Sequence, residues 1–294
     1  GEPSGYAGFM NTRKTKVARL SVASNSFLII IKVLAGIVTG SVSILSEAIH
    51  SSIDLVAALI AFFSVKVSDT PPDRNHPYGH GKFENVSGVI EAALIFVAAV
   101  WIIIEAVKKL LGESTIEAIG WGGLVMFISA LVNFLVSRQL YKVAKETDSV
   151  ALEADALHLK TDVLTSLGVG TGLLLIWITD VHLLDPFIAI AVAGLIIFEA
   201  WQLLRKAYSP LLDSSLGDED IRTIHKVVNE HSFELHNLRT RKAGNYKFVD
   251  MHIEMAGNKT LDEVHEYCNQ IEEDLKKRIP HLDVQIHVEP PGNK

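Results

Sequence analysis

A chain of 294 residues that is 49% hydrophobic, with mean hydropathy +0.28 and yet 21% charged residues, fits a membrane part joined to a soluble part. A net charge of −7 excludes a nucleic-acid binder working through a basic face. The single cysteine, Cys268, excludes an internal disulfide or a thiolate metal cluster and fits a soluble part facing a reducing compartment.

Residues 1–10 read as a tag remnant ahead of a natural start at Met10, without a cleavable signal peptide. Crossing about 30 Å of hydrocarbon takes roughly 20 mostly apolar residues. Six stretches qualify, over about 17–39, 42–66, 83–109, 117–142, 149–178 and 184–207. The connections Thr39 to Val42 and Asp180 to Asp185 are short, which makes their flanking spans antiparallel neighbours. Asp180 and Asp185 read as interface residues, with Pro186 at a helix start. Lys and Arg gather on one side: Arg13, Lys14, Lys16 and Arg19 at the amino-terminal flank of the first span, Arg138, Lys142 and Lys145 around the end of the fourth, and Arg205 and Lys206 at the end of the sixth. That bias predicts both termini in the cytoplasm of an inner (plasma) membrane protein. Glu91 and Glu105 stand within the third span, facing the bundle or near an end.

The second and fifth spans contain one pattern twice: Glu47-Ala-Ile-His50-Ser-Ser-Ile-Asp54 and, 108 residues on, Asp155-Ala-Leu-His158-Leu-Lys-Thr-Asp162. Positions i and i+4 share a helix face, so His50 pairs with Asp54 and His158 with Asp162. The two spans run in opposite directions and the motifs lie near the expected midplane. Two imidazoles and two carboxylates make the ligand set of a tetrahedral zinc-type site, and ionisable groups in a bilayer mark ion paths or proton relays. Two unrelated polar patches in a hydrated bundle would not be expected to repeat the spacing.

Between the second and third spans, Asp73-Arg-Asn-His76-Pro-Tyr-Gly-His80-Gly-Lys82 holds a carboxylate and two imidazoles. Gly79 and Gly81 would let the backbone bend so that His76 and His80 converge, leaving a fourth zinc position open. A solvated loop with incidental histidines is the alternative.

From Asp213 to Lys294 no apolar run is long enough to span, and 16 acidic face 11 basic residues. Periodicity predicts a helix over about 218–231, strands near 235–241 and 246–255, a helix over about 260–279 and a last strand around 283–289. The result is a small two-layer α+β domain. Val249, Met251, Ile253 and Met255 should face its core, with Phe248, Asp250, His252 and Glu254 opposite; Cys268 falls on the apolar stripe of its helix. This segment has 7 of the 12 histidines. His252, His287 and Glu289 lie on polar strand faces where neighbouring strands can meet, with His236 and His265 as further candidates. His225, His231 and His281 read as ordinary surface residues. His265-Glu266-Tyr-Cys-Asn269 fails the zinc-protease pattern at its last position.

Together with Leu-Leu-Asp at 211–213, His-Asn-Leu-Arg-Thr-Arg at 236–241 and His-Val-Glu-Pro at 287–290, these motifs resemble the cation diffusion facilitator family along the whole chain after Met10. The chain is most similar to its bacterial zinc/iron efflux branch. The resemblance implies a membrane all-α six-helix bundle over 11–210 and a C-terminal α+β ferredoxin-like, metallochaperone-like cytoplasmic domain over 211–294. It further implies a homodimer in the lipid bilayer that exchanges divalent metal, chiefly Zn2+, for protons, with Zn2+ also a regulatory ligand. By position, it makes His50, Asp54, His158 and Asp162 the transport site and Asp73, His76 and His80 the loop site. It gives the cytoplasmic sites His236, His252, His287 and Glu289, with His265 bridging two metals. Lys82 and Asp213 match an interdomain salt bridge at the dimer centre, and Leu157 a hydrophobic gate. Some relatives of this branch have Asp in place of His50 or of Glu289.

Two histidines argue against a manganese-selective site, while Fe2+, Cd2+ and Co2+ remain rivals to Zn2+. An intramembrane zinc peptidase would need three ligands, an open position and a catalytic base. Glu47 is the one plausible base, and no His-Glu-x-x-His is present, so a non-enzymatic transporter is expected. A metal receptor without transport would leave the midplane ligands without a purpose.

Overall fold

The computed structural model describes residues 4–40, 42–111, 121–179, 181 and 183–292. The chain divides into two compact units, one ending at Tyr208 and one beginning at Ser209.

The first unit consists of long helices: α1 (Ser4–Thr39), α2 (Val42–Ser68), α3 (Lys82–Leu110), α4 (Trp121–Thr147), α5 (Val150–Thr179) and α6 (Leu184–Tyr208). Among the described residues, five of them contain a stretch long and apolar enough to cross a membrane. The remaining one, α5, has 30 residues and ample length at 1.5 Å per residue. Glu153, Asp155, Lys160 and Asp162 crowd its first half and lower its apolarity. Such a helix needs protein around its polar side chains, and α5 packs against α2, α3, α4 and α6.

The first helix begins at Ser4, well before the apolar run that starts near residue 17. Apolarity marks where lipid begins, whereas helical hydrogen bonding propagates through polar helix formers such as Lys14 and Arg19. Small residues let the bundle close. A Cβ on Gly88 would stand 2.8 Å from Val150 and 2.9 Å from Ala207, so α3, α5 and α6 approach closely there. Ala92, Ile95, Ala154 and Ile196 fill the seam around that contact, and Ala18, Leu140, Leu152 and Leu159 fill a second one. Glu91 is fully buried, while Glu105 is half-buried near the end of α3 and paired with Lys108 at 2.9 Å. Asp185 meets Lys109 at 3.0 Å, and Asp180 lies outside the described residues.

The second unit opens with a 3-10 turn (Ser209–Leu212) and continues as α7 (Asp218–Glu230), β1 (Glu234–Ala243), β2 (Tyr246–Glu254), α8 (Leu261–Arg278) and β3 (Leu282–Glu289). The sheet order is β1-β2-β3, antiparallel in the first pair and parallel in the second. Thr260 and Glu263 form a reciprocal capping box that fixes the start of α8. Val249, Met251 and Ile253 from the sheet pack on Ile224 and Ile271 of the helices, as alternation along β2 predicts. Phe248 sits on the opposite face yet is buried, because the Arg241 guanidinium lies over its ring at 4.4 Å. Cys268 packs against the core, and burial pushes its thiol pKa up.

Candidate metal centres

Helices α2 and α5 bring the two repeated motifs together. Ligand atoms of His50, Asp54 and Asp162 lie within 4.8 Å of one another. His158, the fourth expected ligand, is buried and turns its Nε2 toward Asp54 Oδ1 at 3.1 Å. Asp54 is buried and His50 exposed, so the cluster is sealed on one side and open on the other. The Asn133 side-chain amide donates to Asp162 Oδ2 at 3.1 Å. Lys32 of α1, also buried, donates to Ser51 Oγ at 2.7 Å and lies close enough to act electrostatically on Asp162.

In the loop after α2, Asp73, His76 and His80 also bring ligand atoms within 4.8 Å. Asp73 Oδ1 accepts the backbone N–H groups of His76 and Asn75 at 2.7 and 2.8 Å, an Asx-type turn that folds the loop back. These bonds, His76 first, hold the Asp73 carboxyl below its ordinary range. Gly79 has φ +82, where a side chain would be strained; Gly81, at φ −53, is ordinary helical backbone and contributes no special bend. The His76 and His80 rings stand 4.4 Å apart. His80 Nδ1 faces the Thr70 carbonyl at 3.3 Å, an acceptor only, so Nδ1 carries a hydrogen, and Nε2 faces Asp73 Oδ2 at 3.4 Å.

The third cluster is a product of sheet register. His236 pairs with His252, and His252 with His287, so three imidazoles form a row across β1, β2 and β3. Glu289, two residues on along β3, projects to the same face. Its oxygens meet His252 Nδ1 at 2.9 Å, His236 Nε2 at 3.1 Å and His287 Nε2 at 3.4 Å. The hydrogen bond with His236 first, and then that with His252, depresses the Glu289 pKa. A bulge between His236 and Arg239 places Asn237, at φ +47, with its amide 3.2 Å from His252 Nε2. His265 is exposed on α8 and belongs to no such group among the described residues.

The model of the cation efflux transmembrane domain matches residues 18–212, and that of the cation efflux protein cytoplasmic domain matches residues 216–291. The chain belongs to the cation efflux family. Among its relatives, an uncharacterized transporter from Synechocystis is 35% identical over 93% of this chain and 89% of its own length. The cation-efflux pump FieF of Klebsiella pneumoniae is 32% identical over 94% of this chain and 92% of its own. A solved structure of CzrB in its zinc form is 31% identical over 28% of this chain and 97% of that one, with a TM-score of 0.26. The chain is a multi-pass membrane protein of this transporter family, and no finding supports a peptidase.

Within this cation efflux protein the remaining candidate residues are placed as follows. Leu157 packs in the seam of α3, α5 and α6. Lys82 begins α3 in the first unit, and Asp213, exposed at φ +53, lies 3.9 Å from Arg241 in the second. The Glu47 side chain lies outside the described residues. Sequence reading missed Asn133, Lys32, Ser51 and Asn237. Lys32 had a visible signal, a lone cation in the apolar run Phe27-Leu-Ile-Ile-Ile-Lys32. Asn133 and Ser51 had weaker ones, and Asn237 depended on the bulge.

Proposed function

We propose that the chain exports a divalent metal, Zn2+ first, from the cytoplasm in exchange for protons, through His50, Asp54, His158 and Asp162. The observation that supports this reading most is the meeting of α2 and α5, which puts one imidazole and two carboxylates within 4.8 Å and a second imidazole on one of those carboxylates. Two carboxylates offset the +2 charge of the ion in a low dielectric, and two imidazoles complete a borderline-soft set suited to Zn2+. Metal would replace the hydrogen bond between His158 and Asp54. Because ligation needs neutral imidazoles and ionised carboxylates, protons compete for the same atoms. Protons arriving from the outer side expel the ion, and rocking of the helices returns the site inward.

The loop and sheet clusters fit bound Zn2+ as a regulatory ligand. Each presents imidazoles around one carboxylate whose pKa is held low, so the carboxylate is ionised at neutral pH. In this reading the second unit is cytoplasmic, both termini lie in the cytoplasm, and cytosolic metal tightens a homodimer in the inner membrane and raises transport. Lys82 with Asp213 at the dimer centre, Leu157 as a gate and His265 as a bridge between metals are parts of the same proposal.

The test is flux in liposomes with the purified chain. Zn2+ should move against a pH gradient, with Asp54→Ala and Asp162→Ala inactive. A panel with Fe2+, Cd2+, Co2+ and Mn2+ fixes the substrate. Uptake that persists unchanged after the gradient is collapsed would refute proton coupling.

A further inference from the structure

Three helices stack buried polar groups at regular steps along the first unit. At one level Lys14 of α1 donates to Glu84 of α3 at 2.7 Å, and Ser149, just before α5, donates to the other Glu84 oxygen at 2.5 Å. Seven residues further along α1 and α3, two turns and about 10 Å, stand Ser21 and Glu91, and six residues beyond Ser149 stands Asp155. Seven residues beyond Asp155 is Asp162, a candidate transport ligand. Glu91 and Asp155 therefore occupy the level between the Lys14–Glu84 pair and the candidate transport site.

The two acidic levels differ in one respect. Glu84 has a lysine and two serines around it. Glu91 and Asp155, both 0% exposed, act on each other electrostatically, and among the described residues neither has a lysine or arginine partner. Ser87 donates to Glu91 Oε1 at 3.2 Å, while Glu91 Oε2 has no hydrogen-bond partner among the described residues. Asp155 has the Ser21 hydroxyl beside it, and Asn25 Nδ2 is buried and without a hydrogen-bond partner among the described residues. The charged groups acting on the pair are the two carboxylates themselves and His158, one turn along α5 from Asp155.

Two carboxylates buried close enough to act on each other, with no lysine or arginine paired to them among the described residues, call for a positively charged ligand that needs no room. Zn2+ suits the set poorly, since the set has no imidazole like the neighbouring cluster, and two carboxylates alone are too few for a hard divalent ion. We propose that Glu91, beside Asp155, is a proton-binding site inside the membrane, separate from the metal ligands. It accepts a proton displaced as metal enters the transport site and passes it toward the cytoplasmic end. The proton step rests on the antiport reading above; the existence of the site does not.

Infrared difference spectra of the full chain in lipid, recorded across a pH titration, test the site itself. The expected result is a carbonyl band at the high frequency of a buried protonated carboxyl, lost in Glu91→Gln, retained but shifted in Glu91→Asp, and still present after Zn2+ removal. A band unchanged in Glu91→Gln overturns the proposal, as does the loss of one bound Zn2+ per chain in that variant. In liposomes, Glu91→Gln should keep the wild-type Kd for Zn2+ while moving fewer protons per metal. Undiminished proton movement overturns the relay. If the wild-type chain moves no protons with metal, the antiport reading fails, and the infrared band alone decides the site.

Discussion

The two units use the same imidazoles and carboxylates in opposite ways. In the second unit the core is apolar, and the His236–His252–His287 row with Glu289 stands on the open face of the sheet. In the first unit the apolar surface is spread around the helices, and the charges are inside: Lys14, Lys32, Asp54, Glu84, Glu91, Asp155 and His158 are all buried. A solvated face tolerates an unpaired group, because water supplies what the protein does not. A helix bundle in hydrocarbon does not, so each interior charge is either paired or marks a place where an ion or proton comes and goes.

That contrast can be broken most sharply at Lys14. Removing it as Lys14→Ala leaves Glu84 and Asp69 without their ammonium partner, at 2.7 and 2.8 Å in the intact chain. Loss of one partner of a buried ion pair costs about 3–5 kcal/mol, which thermal unfolding in detergent should register. The exposed Lys277–Asp274 pair at 3.2 Å is the control, and Lys277→Ala should leave unfolding unchanged. Equal effects of the two changes would erase the distinction between the units.

At the proposed transport site, Asp162→Ala should reduce Zn2+ flux at least as much as loss of a supporting contact does at its strongest, about 100-fold. The rate of metal uptake into liposomes measures it. Asn133, which holds Asp162 at 3.1 Å, sits one step out. Asn133→Ala should weaken Zn2+ binding by about 10-fold, read by titration calorimetry with the loop and tail clusters already substituted.

The smallest effect belongs to the second unit. His252→Ala should shift the metal concentration for half-maximal transport by about 5-fold, the low end of site-to-site coupling, and leave flux at saturating metal intact. The pH dependence sharpens the point. The Glu289 pKa is lowered, so the carboxylate stays ionised down through its ordinary range, and its contribution is lost only at more acid pH. Metal binding at this cluster should weaken as pH falls, because protons compete for the imidazoles and the carboxylate alike, read as the Zn2+ Kd along a pH series. A Kd that stays constant as pH falls would show that the imidazoles are not ligands.

Much of the fold was legible because lipid imposes a simple rule. A span must be long and apolar, which located α2, α3, α4 and α6 to within a few residues. Alternation and helical period located the elements of the second unit for a similar reason, since each buries one face. The start of α1 was not legible, because its polar flank gives no lipid signal although it is helical from Ser4. The expected role of Gly81 also failed, since spacing shows where glycines are but not which of them adopts positive φ.

By itself the sequence determined that His50, Asp54, His158 and Asp162 fall on common faces of two helices, because i and i+4 positions align whatever surrounds them. It likewise fixed which strand faces carry His252 and Glu289. Only the tertiary structure decided that Asn133 bonds Asp162, that Lys32 bonds Ser51 near the same cluster, and that the β-sheet register lines up three imidazoles. It also decided that Glu91 and Asp155 are buried close enough to act on each other. Those outcomes depend on which helix faces and strands come to lie together. That is set by close packing at small residues such as Gly88, distributed over the whole bundle and invisible in any one segment.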